Sequence, residues 1–176
     1  VSWAREMCIR DRGFIRSLAL LKWGLANANK VLNLLSEERA AAIAHSAMEI
    51  YEGNHLAQFP LDIFQTGSGT STNMNMNEVI SSLSSTEVDS VHPNDHVNMG
   101  QSSNDVIPSA INVDSSLTVV DQLLPSMTHL KNSIDEKAKS IGVIPKNGRT
   151  HLMDAMPVRL DQTLLGWSDQ LRQSAR

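Results

Sequence analysis

Apolar residues recur along most of this chain at spacings of three and four. Phe14, Leu18, Leu21, Leu25, Ala28, Leu32 and Leu35 line one side of a helix predicted over 14–35. Ser36 is a candidate N-cap for a second helix, with Glu37 and Glu38 in the first turn, where the helix dipole favours negative charge. That helix reads through 40–51, and Gly53 stops it. The longest pattern runs from Asp105 to Ile141, through Val106, Ala110, Val113, Leu117, Val120, Leu124, Met127, Ile134, Ala138 and Ile141. A seam of this length predicts one long helix packed along neighbours in a bundle. Pro108 is placed in its first turn, Pro125 is expected to kink it, and Gly142 ends it. Ile107, Val119, Leu123 and Leu130 suggest a second apolar face.

The stretches 55–66 and 81–91 read as loops or short helices, and 162–176 as a helix without a stop signal. No segment shows convincing alternation with period two, so the predicted fold class is all-α. Residues 13–104 form an N-terminal helical domain, and residues 105–176 the first part of a long central helix bundle. Residues 1–12 share no period with the rest of the chain and are set aside as a non-native leader. Both ends of the sequence look cut, as in a piece of a longer protein.

Composition narrows the function classes. The 176 residues carry 15 Lys and Arg against 19 Asp and Glu, a net charge of −4. That balance argues against a nucleic-acid partner, which needs a basic face. The single cysteine, Cys8, excludes an intrachain disulfide framework. No apolar run is long enough to span a membrane.

Three polar islands interrupt the helical pattern. In the first, Gln65 to Asn73, two glycines among hydroxyls suit a nest of backbone N–H groups that holds an anion, although a solvated turn has the same composition. It lacks the Gly-Lys-Ser/Thr of a Walker loop. The second runs from His92 to Asp105. Ser103, Asn104 and Asp105 are helix-cap candidates, and hydroxyls and amides gathered at a helix N-terminus can hold a carboxylate. His92, Asp95 and His96 invite a metal assignment, but no third spaced ligand accompanies them, and no metal is expected. The third, Gly148 to Pro157, sets His151 beside Thr150 ahead of a helix started by Pro157, which makes His151 a candidate acid or base. A structural histidine is the plainer reading of that segment alone.

The runs FQTGSGTSTNMNMNEVI (64–80), HPNDHVNMGQSSNDVIPSAI (92–111) and GRTHLMDAMPVRLDQ (148–162) resemble, in order, three N-terminal motifs of class II fumarate hydratases in the fumarase/aspartase superfamily. The likeness extends from about Phe14 to Arg176. It implies a homotetramer around a central helix bundle, with active sites shared between subunits. It also implies a cytoplasmic or mitochondrial enzyme of the tricarboxylic acid cycle, interconverting fumarate and (S)-malate without a cofactor. By the same resemblance Ser68, Gly69, Thr70, Ser102, Ser103, Asn104 and Thr150 bind substrate, and His151 is the active-site histidine. His92, Pro93, Asn94 and Asp95 would form a secondary dicarboxylate site. Asp89 stands where relatives often carry a basic residue, so charge repulsion would weaken that site. The family's Gly-Ser-Ser loop, which carries the serine base, is expected beyond the last residue. Aspartate ammonia-lyase shares these motifs, but Ser103 and His151 favour fumarase, since aspartases commonly have Thr at the first and often Gln at the second. A non-catalytic helical assembly module is the reading from a different class.

Overall fold

The computed structural model describes residues 12–62, 64–65, 67–86 and 89–176, so all of the expected leader 1–12 except Arg12, which begins the first helix below, lies outside the described residues. Among the described residues six α-helices dominate: α1 (Arg12–Val31), α2 (Glu37–Tyr51), α3 (Thr70–Ser84), α4 (Ser103–Thr118), α5 (Leu124–Ile141) and α6 (Leu160–Ser174). The class is all-α with one addition, a two-stranded antiparallel hairpin of β1 (Pro145–Thr150) and β2 (Met153–Arg159). The hairpin is exposed along nearly its whole length. With neither face buried, its sequence carries no alternation, which is why period alone does not reveal it.

The chain divides into two compact units, at Ser116/Leu117. In the first, α1 and α2 form a helical hairpin, α3 packs on α2, and a single π-helical turn, Pro93–Val97, packs on α3. Leu18, Ile43, Ile50, Met76 and Ile80 are fully buried at its centre, with Val106 and Ala110 of α4 in the same core.

The first helix ends at Val31 and not at Leu35. Asn33 takes a left-handed conformation (φ 57°), and the N–H groups of Leu34 and Leu35 turn back to Asn29 O. Ser36 then caps α2 by accepting from Arg39 N–H, while Leu35 before it and Ala40 in the first turn are both buried, in the places of a hydrophobic staple. The buried residues of α1 are Ile15, Ser17, Leu18, Ala19, Lys22, Ala26 and Asn29, rotated from the purely apolar face and including three polar side chains.

Helix α3 begins at Thr70, so the polar run 70–78 is helical, and 81–84 form the end of the same helix. Helix α4 begins at Ser103, and its cap is Ser102, one residue before the three candidates. The Ser102 carbonyl accepts from Val106 N–H (3.0 Å) and its hydroxyl from Asn104 N–H (3.3 Å). Pro108 consequently falls inside α4, past the first turn. The long helix 105–141 is not a continuous α-helix. A π-turn, Val119–Leu123, separates α4 from α5, and Leu124 N–H reaches Val119 O. This turn precedes Pro125, whose missing N–H would break a regular ladder.

In the second unit α6 packs on α5, and Ser168 Oγ donates to Asp135 Oδ1 at 2.6 Å. Lys131 pairs with the same carboxylate at 2.7 Å, and both contacts hold it below the usual carboxylate range. Gly142 (φ 62°) ends α5 as the pattern predicts. Pro157 lies in β2, not at a helix start; α6 is entered at Arg159, whose N–H donates to Gln162 Oε1.

Candidate active site

In the first unit two helix N-termini meet. Gly69, the residue before α3, has φ +66°, and a Cβ there would sit 3.0 Å from the Ile107 side chain in the early part of α4. Only glycine allows both that backbone and that approach. Ser68 Oγ and Thr70 Oγ1 lie 2.9 Å apart at this end of α3. Since Gly69 has no side chain, Gln65 caps the helix from outside: its Oε1 accepts Thr72 N–H (3.2 Å), and its Nε2 donates to Asp62 O (3.0 Å). At the start of α4, Ser102 and Asn104 are exposed and Ser103 is half-buried. Asn73 Nδ2, fully buried on α3, donates to Ser103 Oγ at 3.2 Å and ties the two helix ends together. Five hydroxyl or amide side chains thus lie at two helix N-termini that meet, the arrangement that holds a carboxylate without a titrating cation.

Behind this edge lies a buried polar network. Lys22 Nζ donates to Gln101 Oε1 (2.6 Å) and Asn98 Oδ1 (3.1 Å), and Asn73 Nδ2 also donates to Asn98 Oδ1 (3.1 Å). Lys22 is 1% exposed, and burial pulls its ammonium down to about 7. Sequence reasoning missed Lys22, Asn73 and Gln65. The one signal for Lys22 was its place four residues after Leu18 and four before Ala26, on the stripe that is buried.

The second motif builds a compact turn. His92 Nδ1 accepts from Asn94 N–H (3.3 Å) and Asp95 N–H (3.1 Å), so the proton of the neutral ring sits on Nε2. His96 Nδ1 accepts from His92 N–H (2.8 Å), and its Nε2 lies 3.4 Å from Arg39 Nη1. Pro93 occupies the first position of the π-turn, where it has no N–H to lose. Arg39 grips Asp89 through Nε and Nη2, the shortest contact being 2.6 Å. Its guanidinium holds Asp89 below the usual carboxylate range. The repulsion expected from Asp89 is therefore offset within the protein.

Thr150 and His151 belong to the second unit. Thr150 closes β1 opposite Met153, and His151 and Leu152 form a two-residue turn with φ of 52° and 61°. Positive φ at both central positions is the pattern of a type I′ hairpin turn. The imidazole is thus carried at an exposed hairpin tip rather than at a helix terminus. A register shift in the hairpin falls at Gly148, where a Cβ would lie 2.6 Å from Met156 O.

The chain belongs to a lyase family: the family model described as Lyase matches residues 4–176. Similar curated proteins include class II fumarate hydratases. The chain is 48% identical over 164 residues to fumarate hydratase class II 2 of Pseudomonas aeruginosa, covering 93% of this chain and 36% of that protein. It is 49% identical over 158 residues to the class II fumarate hydratase of Corynebacterium glutamicum, covering 90% and 33%. Among solved structures it resembles a class II fumarase from Schistosoma mansoni, with TM-score 0.87 and 42% identity over 93% of this chain and 36% of that one. A fumarate lyase:delta crystallin from Brucella melitensis gives 0.86 and 35%, over 94% and 40%. The chain therefore spans about a third of the length of the curated relatives it matches.

Proposed function

We propose that the protein containing this chain is a class II fumarate hydratase, which adds water in an anti sense to fumarate to give (S)-malate, reversibly. The observation that carries this reading is the meeting of two helix N-termini edged by Ser68, Thr70, Ser102, Ser103 and Asn104. Relatives of that name at nearly half identity support it.

In the dehydration direction, loss of the C3 proton of malate places a second negative charge on the adjacent carboxylate. Neutral hydroxyls, amides and helix N–H groups stabilise that charge without themselves titrating. The C2 hydroxyl leaves as water after receiving a proton, and His151 at its hairpin tip is the acid, directly or through a water, with Thr150 beside it as a substrate contact. The C3 proton goes to the serine base that the family resemblance assigns to a loop outside this sequence. The His92–Asp95 turn is the secondary dicarboxylate site, offering His92 Nε2–H while Arg39 offsets Asp89.

The same proposal includes a cytoplasmic homotetramer with shared sites. It is supported by an apolar groove of about 640 Å³ on the second unit, lined by Met127, Leu130, Ile134, Leu164, Trp167 and Leu171. No helix among the described residues is long and apolar enough to cross a membrane.

Purified full-length protein mixed with fumarate should consume the absorbance of the double bond and form malate. Release of ammonia from aspartate, with fumarate left unhydrated, would overturn the assignment.

A further inference from the structure

We propose that Lys22 is a positioning residue: through Asn98 and Asn73 it sets the direction of the Ser103 hydroxyl, so that Ser103 donates its hydrogen to a substrate carboxylate. The proposal rests on the functional reading above and deepens it.

An ammonium can only donate, and Lys22 Nζ faces two side-chain amides, at 2.6 and 3.1 Å. Both amides must therefore turn their oxygens toward it. For Gln101 this points Nε2 away, to Val97 O at 2.8 Å. For Asn98 it points Nδ2 to Gln101 O at 3.2 Å and leaves Oδ1 facing Asn73. Asn73 must then present its NH2 group to Asn98 Oδ1. That group has a second hydrogen, and it is donated to Ser103 Oγ at 3.2 Å. Accepting at Oγ, the Ser103 hydroxyl keeps its own hydrogen for a further acceptor at the edge where the two helix ends meet.

Two observations show that this direction is imposed. Asn73 Oδ1 is buried without a partner among the described residues, so the amide orientation is held at the expense of its own oxygen. Lys22 faces neutral oxygens while almost fully buried, a costly place for a cation with only a structural task. After loss of its proton the amine still has two N–H groups, enough to serve both oxygens in the same arrangement.

The test is a double-mutant cycle in the full-length protein, with fumarate as probe and kcat/KM as readout. Removing one hydrogen bond to a charged group lowers binding roughly 10- to 100-fold, and that loss is expected for Ser103→Ala. Lys22→Met should lower kcat/KM roughly tenfold or more alone, but less than about twofold further in the Ser103→Ala background, because both act through one hydroxyl. A purely structural lysine would lower it by the same factor in both backgrounds, and that result overturns the proposal. Asn73→Asp is the second arm. This isosteric carboxylate only accepts, so it takes the Ser103 hydrogen for itself and should bring kcat/KM down to the Ser103→Ala level. If Lys22→Met does not assemble, this arm decides, and a value within about twofold of the parent counts against us. An active parent in which Ser103→Ala has no effect also overturns the proposal alone. A parent that hydrates no fumarate overturns the functional reading and this proposal together.

Discussion

His151→Asn in the full-length protein should lower turnover by roughly 10²–10⁴-fold, while KM for fumarate changes far less. Asparagine keeps a polar tip of similar reach but cannot deliver a proton near neutral pH. A raised KM with unchanged turnover would make His151 a binding residue. The buried Lys22 carries a separate prediction, about pH. Its folded value is about 7, below the ordinary 10.5. Between those values the unfolded chain holds a proton that the folded chain lacks, so stability rises with pH across that window. Below about 7 both states are charged, and the full desolvation cost opposes folding. Denaturant midpoints measured from pH 7 to pH 9 should rise more steeply for the parent than for Lys22→Met. Parallel slopes would show that the lysine does not titrate differently on folding.

At the scale of elements, the hairpin that carries His151 depends on one glycine. A Cβ at Gly148 would lie 2.6 Å from the carbonyl oxygen of Met156, and backbone cannot yield as a flexible side chain can. Gly148→Ala should destabilise the hairpin by about 1–3 kcal/mol and lower turnover by displacing the tip, read by thermal melting and fumarate hydration together. Unchanged turnover would mean that the hairpin does not position the histidine. Helix α2 offers a simpler case. Ser36→Ala removes the acceptor of Arg39 N–H and should cost about 1 kcal/mol in denaturant unfolding, with activity retained. Much of this element structure was legible in the sequence: Ser36 as a cap, the run to Tyr51, and the stop at Gly142 are local events, set by hydroxyls, periodicity and a left-handed glycine. The hairpin was not, since its strands bury neither face. The Ser102 cap was missed because four neighbouring polar residues are all competent caps, and only packing selects one.

For the whole molecule, the long apolar seam of 105–141 is buried at only Val106, Ala110 and Ala138. Leu123, Leu130 and Trp167 are each about half exposed. Apolar surface of this extent belongs under another helix. If the proposed tetramer forms through this surface, Trp167→Glu in the full-length protein should shift it toward smaller species in light scattering, and activity should fall if the proposed sharing of sites holds. A tetramer that keeps its mass would place the subunit interface elsewhere. The helical class, the Ser36 cap and the three polar motifs were decided by the sequence itself, because periodicity, capping chemistry and motif residues act over a few positions. Tertiary structure alone decided that the starts of α3 and α4 meet, that Arg39 neutralises Asp89 fifty residues away, and that Lys22 is linked to Ser103 through Asn98 and Asn73. These contacts join segments far apart in the chain. Whether a polar side chain on a helix faces water or a buried amide depends on what packs against it, and no local pattern records that.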